Sequence, residues 1–284
     1  MLERIAPALF VFLWSTGFIG AKYGLPYAEP FTFLAVRMAI TFVLLIAMVV
    51  ILKRQWPGWA AAGHSMVTGI LIHGCYLGAV FWVIGNGMPA GIAALIVAMQ
   101  PLLTVLIARL LLGDKATLRQ IVAFFLALGG VFMVILPRLE GAGQVTGITP
   151  LNFGVTLFSV LSIALGTVYQ KRFVTGVGLV SGTAAQYFGA GVFLAVLSLA
   201  FETGRIEWTL QFTLAMVWLV VVLSLGAVML LMVLIRHNSS ARTASLFYLV
   251  PVSTAVLAWI LFGETLTPVQ IAGMAVVVIA VARA

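Results

Sequence analysis

Polar positions are sparse in this chain, and between them lie ten apolar runs: 5–21, 31–52, 65–85, 91–112, 118–136, 151–170, 179–201, 213–235, 241–262 and 268–283. A helix that crosses the hydrocarbon layer needs about 20 mostly apolar residues, so each run predicts one membrane span. The connections are too short to hold an extramembrane domain. The longest, 137–149, carries Gly141, Gly143 and Gly147 and reads as a linker between a first half, 1–136, and a second half, 150–284. The first run has the length of a signal sequence, but no small-x-small cleavage site followed by a soluble domain accompanies it. It reads as a retained helix.

Composition agrees with the pattern. Of 284 residues, 63% are hydrophobic and 8% charged, whereas soluble domains are about 45–50% apolar and about 25% charged. A water-soluble enzyme and a nucleic-acid-binding domain are thereby excluded. The net charge of +8 forms no basic stripe and reads as a topology signal. With the amino terminus inside, the inner ends hold Arg4, Lys53, Arg54, Arg109, Lys115, Arg119, Lys171, Arg172, Arg236, Arg242 and Arg283. The outer ends hold Lys22, Arg37, Arg138 and Arg205. Eleven cations against four predict a multi-pass protein of the plasma (inner) membrane with both termini in the cytoplasm. A single cysteine, Cys75, excludes an internal disulfide.

Shifted by 150 residues, the chain aligns with itself. Pro101 falls on Pro251, Thr104 on Thr254, Gly113 on Gly263, Thr117 on Thr267 and Gln120 on Gln270, while Asp114 falls on Glu264. A shift of 149 places Gly17 on Gly166 and Lys22 on Lys171. Each repeat holds five spans, an odd number, so the second half enters the membrane from the opposite side. Inverted repeats let one midplane site open alternately to either side, which points to secondary transport.

These residues carry a family resemblance. The stretch Leu13-Trp14-Ser15-Thr16-Gly17-Phe18 ending at Lys22, the second run with Arg37, and the paired Pro and Gly-Asp/Gly-Glu signatures resemble the drug/metabolite transporter superfamily. The nearest branch is the ten-helix EamA type, which includes YddG-like amino-acid exporters. The resemblance implies an all-α integral membrane fold of two inverted five-helix repeats, and export of amino acids or similar metabolites. Small four-helix relatives exchange drug for protons on a glutamate in the first helix; here that region reads Leu13-Trp14-Ser15-Thr16. Either His73 couples protons, or the substrate gradient drives flux.

Candidate substrate contacts follow from polar and aromatic groups within the runs. His73 and Tyr76 lie three residues apart on one helix face, and an ionisable group in mid-membrane is a functional candidate by default. Gln100 offers an amide beside Pro101. Trp14 forms a stripe with Phe10 and Phe18; Tyr169 shares a small polar face with Ser159, Ser162 and Gly166; Tyr248 shares a face with Ser245. The first, third, fourth, sixth, eighth and ninth helices are the expected walls. Pro101 and Pro251 leave the carbonyls of Val97 and Phe247 without their usual donor and predict kinks. With Gly17, Gly166 and Arg37 they are the candidate hinge or gating positions. Arg37, two turns inside the outer end, either snorkels outward, caps carbonyls or meets an anionic group. Asp114 and Glu264 are expected to cap neighbouring helix starts.

No phosphate-binding loop and no metal-ligand motif is present, so ATP-driven transport, a metal site and any other cofactor are not expected. All seven acidic residues lie outside the apolar runs. The reading is a non-enzymatic, alternating-access exporter of aromatic or neutral amino acids, with drugs or other metabolites as the alternative cargo and a membrane enzyme or sensor as the remote one. Its partners are the small-molecule substrate and the bilayer, not nucleic acid; a monomer suffices, and a dimer is compatible with it.

Overall fold

The computed structural model describes residues 2–113, 117–139, 147–227, 230, 247–264 and 266–283. Their helices are α1 (Leu2–Gly24), α2 (Pro30–Ile51), α3 (Trp59–Gly85), α4 (Ala90–Leu112), α5 (Leu118–Leu139), α6 (Pro150–Phe173), α7 (Leu179–Phe201), α8 (Leu210–Ala227), α9 (Val250–Phe262) and α10 (Pro268–Ala282). Each apolar run thus carries a helix, and seven of these are long and apolar enough to cross a membrane. Asp114, Lys115 and most of the junction between the eighth and ninth runs lie outside the described residues. Among the described residues there is no strand; Ala28 and Ile206 form an isolated antiparallel bridge.

Local sequence sets the helix ends. Pro30, Pro150 and Pro268 open α2, α6 and α10 at a position where a missing N–H costs nothing. Gly113 and Gly263, matched by the repeat, adopt left-handed φ values of 72° and 66° and end α4 and α9. Thr117 and Gln120 then form a reciprocal capping box, with Thr117 N–H donating to Gln120 Oε1 at 2.9 Å and Gln120 N–H to Thr117 Oγ1 at 3.2 Å. Thr267 and Gln270 repeat it before α10 at 3.0 and 3.3 Å. The repeated Gly, Thr and Gln are therefore helix punctuation.

Two expectations change here. Pro101 and Pro251 do not kink continuous helices. α4 stops at Val97 and restarts at Gln100, and α9 follows a short 3₁₀ turn, Phe247–Leu249, so that each proline occupies the first turn of a new segment. A break places the ring where it displaces no hydrogen bond, whereas a kink would sacrifice one. The other change is in α3 and α8, which each contain a π-helical stretch, Ile70–Tyr76 and Trp218–Ala227, at corresponding places in the two halves. Wider turns of this kind shift the helix face and occur often at functional sites.

Small residues let the backbones approach, as membrane helices require in the absence of a hydrophobic force between them. A Cβ on Gly69 of α3 would lie 2.0 Å from the Gln186 carbonyl oxygen of α7, and one on Gly189 of α7 would lie 2.8 Å from Met66 Cα. α5 and α10 meet likewise at Gly130, where a Cβ would stand 2.8 Å from the Gly273 oxygen. Around the middle of the bundle α1, α2, α3, α7 and α8 bury Phe10, Phe33, Phe81, Tyr187 and Leu219 in one core cluster.

At one end of the bundle, here the upper end, carboxylates tie loops together. Glu202, at the end of α7, accepts from Phe31 N–H, Thr32 N–H and the Thr32 hydroxyl at 2.8, 2.7 and 2.7 Å, capping α2 from across the bundle. Glu29 in turn accepts from the Thr203 and Arg205 N–H groups at 3.0 and 2.9 Å. Glu264 pairs with Lys22 of α1 and accepts Ala90 N–H at 3.3 Å, so it caps the start of α4 and not that of the adjacent α10, whose first turn is closed by Thr267 and Gln270.

Burial nudges the Glu29 carboxyl upward, but the hydrogen bonds from Arg205 and Thr203 outweigh it and hold the group below the usual carboxylate range. A pKa lower in the folded than in the unfolded state stabilises the fold above the unfolded value, about 4.3, and the contribution disappears as pH falls through the folded value. Glu29→Gln is therefore expected to melt below wild type at neutral pH and to converge with it in acid, as thermal unfolding across that range will show. A constant gap at every pH would contradict the assignment.

Candidate functional site

The central cavity, of about 110 Å³, is enclosed by α1, α2 and α3 of the first half and by α6, α7 and α8, their counterparts, of the second. One water needs roughly 10–15 Å³ on the same scale, so the space accommodates a small organic molecule. From α1 come Trp14, Gly17 and Phe18; from α2, Arg37; from the π-helical turn of α3 and the turns after it, His73, Tyr76 and Phe81. The second half contributes Ile163, Tyr187, Leu223 and Ser224.

Ring packing fixes the walls. Trp14 stands 5.2 Å from both Phe10 and Phe247, and those two are 5.1 Å apart, a triangle that joins α1 to the turn before α9. Toward the upper end, Phe81 packs on Phe33 at 5.4 Å, and Phe33 on Phe212 at 5.0 Å. His73 faces the Tyr187 ring at 4.7 Å. Such edge and tilted contacts hold large, stiff side chains in place and leave their remaining faces to the cavity.

The polar centre of the site is Arg37. It lies seven residues into α2, roughly 10 Å below the upper end at 1.5 Å per residue, and is 3% exposed. Its Nη2 donates to Ser224 Oγ at 3.0 Å, and the Ser224 hydroxyl donates onward to the Leu219 carbonyl, five residues back, at 3.0 Å. The i−5 spacing is that of the π turn, so the irregularity of α8 is what lets Ser224 face the guanidinium. Arg37 Nε is shut off from water and has no acceptor among the described residues.

The structure brings Trp14, Gly17, Arg37, His73 and Tyr76 to one cavity. It does not bring Gln100 or Tyr169 there. The Gln100 amide turns to Thr104 Oγ1 at 3.2 Å within its own helix. The Tyr169 hydroxyl is 2.7 Å from His64 Nδ1, and both rings pack with Phe173 at the lower end. Tyr248 belongs to the turn before α9, and its side chain lies outside the described residues. Gly166 faces α3: a Cβ there would meet Ile72 Cγ1 at 2.6 Å and Leu71 Cβ at 3.0 Å, so it seats the π-helical segment. Among the described residues α2 and α7 line the cavity in place of the expected α4 and α9, because α3 and α7 are close enough to carry Tyr187 inward.

Tyr187 and Ser224 were missed. The offset of 149 that aligns Gly17 with Gly166 also aligns Arg37 with Gln186, next to Tyr187. That correspondence was the available signal for α7. Nothing in the sequence distinguishes Ser224 from the other serines of the apolar runs.

Helices packed as two corresponding halves around a cavity deep in the bundle define a polytopic membrane transporter. Comparison with known proteins gives the family. The chain belongs to the EamA-like transporter family, whose pattern it matches over residues 5–136 and 153–283. It is 30% identical over 275 residues to the uncharacterised inner membrane transporter YedA of Escherichia coli (strain K12), which covers 96% of this chain and 87% of that one. It is 25% identical over 276 residues to a "Probable amino-acid metabolite efflux pump" of Salmonella typhimurium, covering 93% and 88%. A solved crystal structure at 20% identity shares the fold over 98% of this chain and 94% of its own, with a TM-score of 0.66. Both sequence similarities run nearly end to end, so the whole bundle is shared.

The contact at Gly166 is testable. Gly166→Val is expected to lower the thermal midpoint, at a cost of about 1–3 kcal/mol for overpacking, because the added carbons meet Leu71 and Ile72. An unchanged midpoint would show that α3 and α6 are less closely apposed.

Proposed function

We propose that this protein exports aromatic and other neutral amino acids, and related small metabolites, through alternating access of the central cavity. The observation that carries the reading is a ring-walled cavity shared between corresponding helices of the two halves. A pair of halves that rock about such a site exposes it first to one side and then to the other. The amino-acid metabolite efflux pump among its relatives supports the choice of cargo. In this reading both termini face the cytoplasm of a bacterial-type inner membrane, the upper end faces outward, and the Lys22–Glu264 pair closes the outer side.

The substrate's own gradient drives flux. Proton exchange on a carboxylate needs an acidic group in the pathway, and all seven acids of the chain fall outside its apolar runs. Uptake of labelled phenylalanine and alanine into proteoliposomes is expected to saturate and to be indifferent to an imposed pH gradient. Tyr76→Ala is expected to cut it at least five-fold, whereas Tyr169→Phe, at the lower end, leaves it near wild type. Stimulation by a proton gradient, lost in His73→Gln, would replace the facilitator with a proton-coupled carrier; absence of saturable uptake of either amino acid would overturn the cargo.

A further inference from the structure

Arg37 is a permanent cation buried within the apolar bundle two turns below its upper end, and among the described residues no carboxylate pairs with it. Its guanidinium cannot shed its proton within a protein. None of the seven acidic residues, Glu3, Glu29, Asp114, Glu140, Glu202, Glu207 or Glu264, lies within an apolar run. Of its donors, Nη2 is met by the neutral Ser224 hydroxyl, and Nε finds no acceptor among the described residues. Charged residues inside membrane helices are costly and pair with an opposite charge or mark a ligand pathway, and a buried donor without an acceptor carries a desolvation penalty that an incoming acceptor removes. Among the described residues every other wall of the cavity is a ring, an aliphatic chain, a neutral hydroxyl or the bare backbone of Gly17, apart from His73.

We propose that the cavity is an aryl- or alkyl-monocarboxylate site, in which Arg37 anchors the carboxylate and the ring walls hold the apolar body, while an α-amino group is tolerated and not required. This rests on the reading of the cavity as the transport site and narrows its substrate class. The planar guanidinium fork suits a carboxylate. Among the described residues the cavity holds no acid to receive an ammonium group, and a free amine brings a second positive charge beside Arg37 in a medium where like charges repel strongly. Ring faces attract cations, but that attraction is available to a zwitterion, whose carboxylate first neutralises Arg37. A 2-oxo acid or a simple aryl carboxylate then binds as well as the amino acid of the same side chain, and the decarboxylated amine does not.

The test is calorimetric titration of the purified full-length protein in nanodiscs with 3-phenylpropionate, L-phenylalanine, 2-phenylethylamine and 3-phenylpropanol, beside sodium chloride alone. Both carboxylates are expected to bind within ten-fold of each other, and the amine and alcohol at least ten-fold more weakly. Arg37→Gln is expected to weaken 3-phenylpropionate at least ten-fold and to leave the alcohol unchanged, with its thermal midpoint and gel-filtration profile reporting the fold. Should that variant not fold, the wild-type series decides by itself.

An amine that binds as tightly as the acid, or an Arg37→Gln protein that keeps the preference, would overturn the carboxylate anchor while leaving amino-acid transport standing. Chloride that stabilises the protein as much as the aryl acid would identify an inorganic-anion site and overturn it too. Absence of binding by all four organic probes would reject the cavity as a substrate site, and the proposed function with it.

Discussion

A guanidinium buried in mid-bundle governs the architecture around it. An arginine costs about 2.5–3.5 kcal/mol at the centre of a membrane helix on insertion scales; Arg37, two turns from the upper end of α2, is 3% exposed, and among the described residues no acid pairs with it to offset such a cost. The surrounding helices meet the constraint by departing from regular geometry. The wide turn in α8 frees the Ser224 hydroxyl to sit between the Leu219 carbonyl and Arg37 Nη2. The wide turn in α3 supplies His73 and Tyr76 to the same cavity. Close packing at Gly69, Gly166 and Gly189 holds α3 against α6 and α7, so the irregular stretches have rigid neighbours.

The two halves share their scaffolding and differ in their chemistry. Wide turns in α3 and α8, interruptions in α4 and at the start of α9, glycine stops at Gly113 and Gly263, and capping boxes at Thr117 and Thr267 all recur. Arg37 has no charged counterpart, since the repeat aligns it with Gln186. In the proposed reading a symmetric frame opens to either side with similar contacts, and an asymmetric anchor would give the cargo one preferred orientation within it. The carboxylates at the upper end, Glu29, Glu202 and Glu264, join elements of opposite halves.

Much of the fold was legible because the bilayer enforces it. Among the described residues each of the ten apolar runs carries a helix, and the recurrent Pro, Gly, Thr and Gln marked helix boundaries. The site was less legible, for a physical reason. In helices that are apolar all round, periodicity does not reveal which face turns inward. Gln100 and Tyr169 were plausible by residue type, yet each finds its partner elsewhere, in Thr104 and His64. Tyr187 was marked only indirectly, by the offset that sets Arg37 on its neighbour Gln186, and Ser224 not at all, because close backbone approach and a wide turn bring them to the cavity. Arg37 was visible as an anomaly, but only the structure shows that it is buried against Ser224 and does not snorkel outward.

Alternating access of this one cavity is the central claim, and accessibility of a thiol placed within it tests that most directly. Ile163→Cys in a Cys75→Ser background puts a single cysteine on the cavity wall. In sealed right-side-out and inside-out vesicles, a membrane-impermeant thiol reagent is expected to label it from both sides, more slowly when L-phenylalanine is present. Labelling from one side alone, with no protection by the amino acid, would contradict the account.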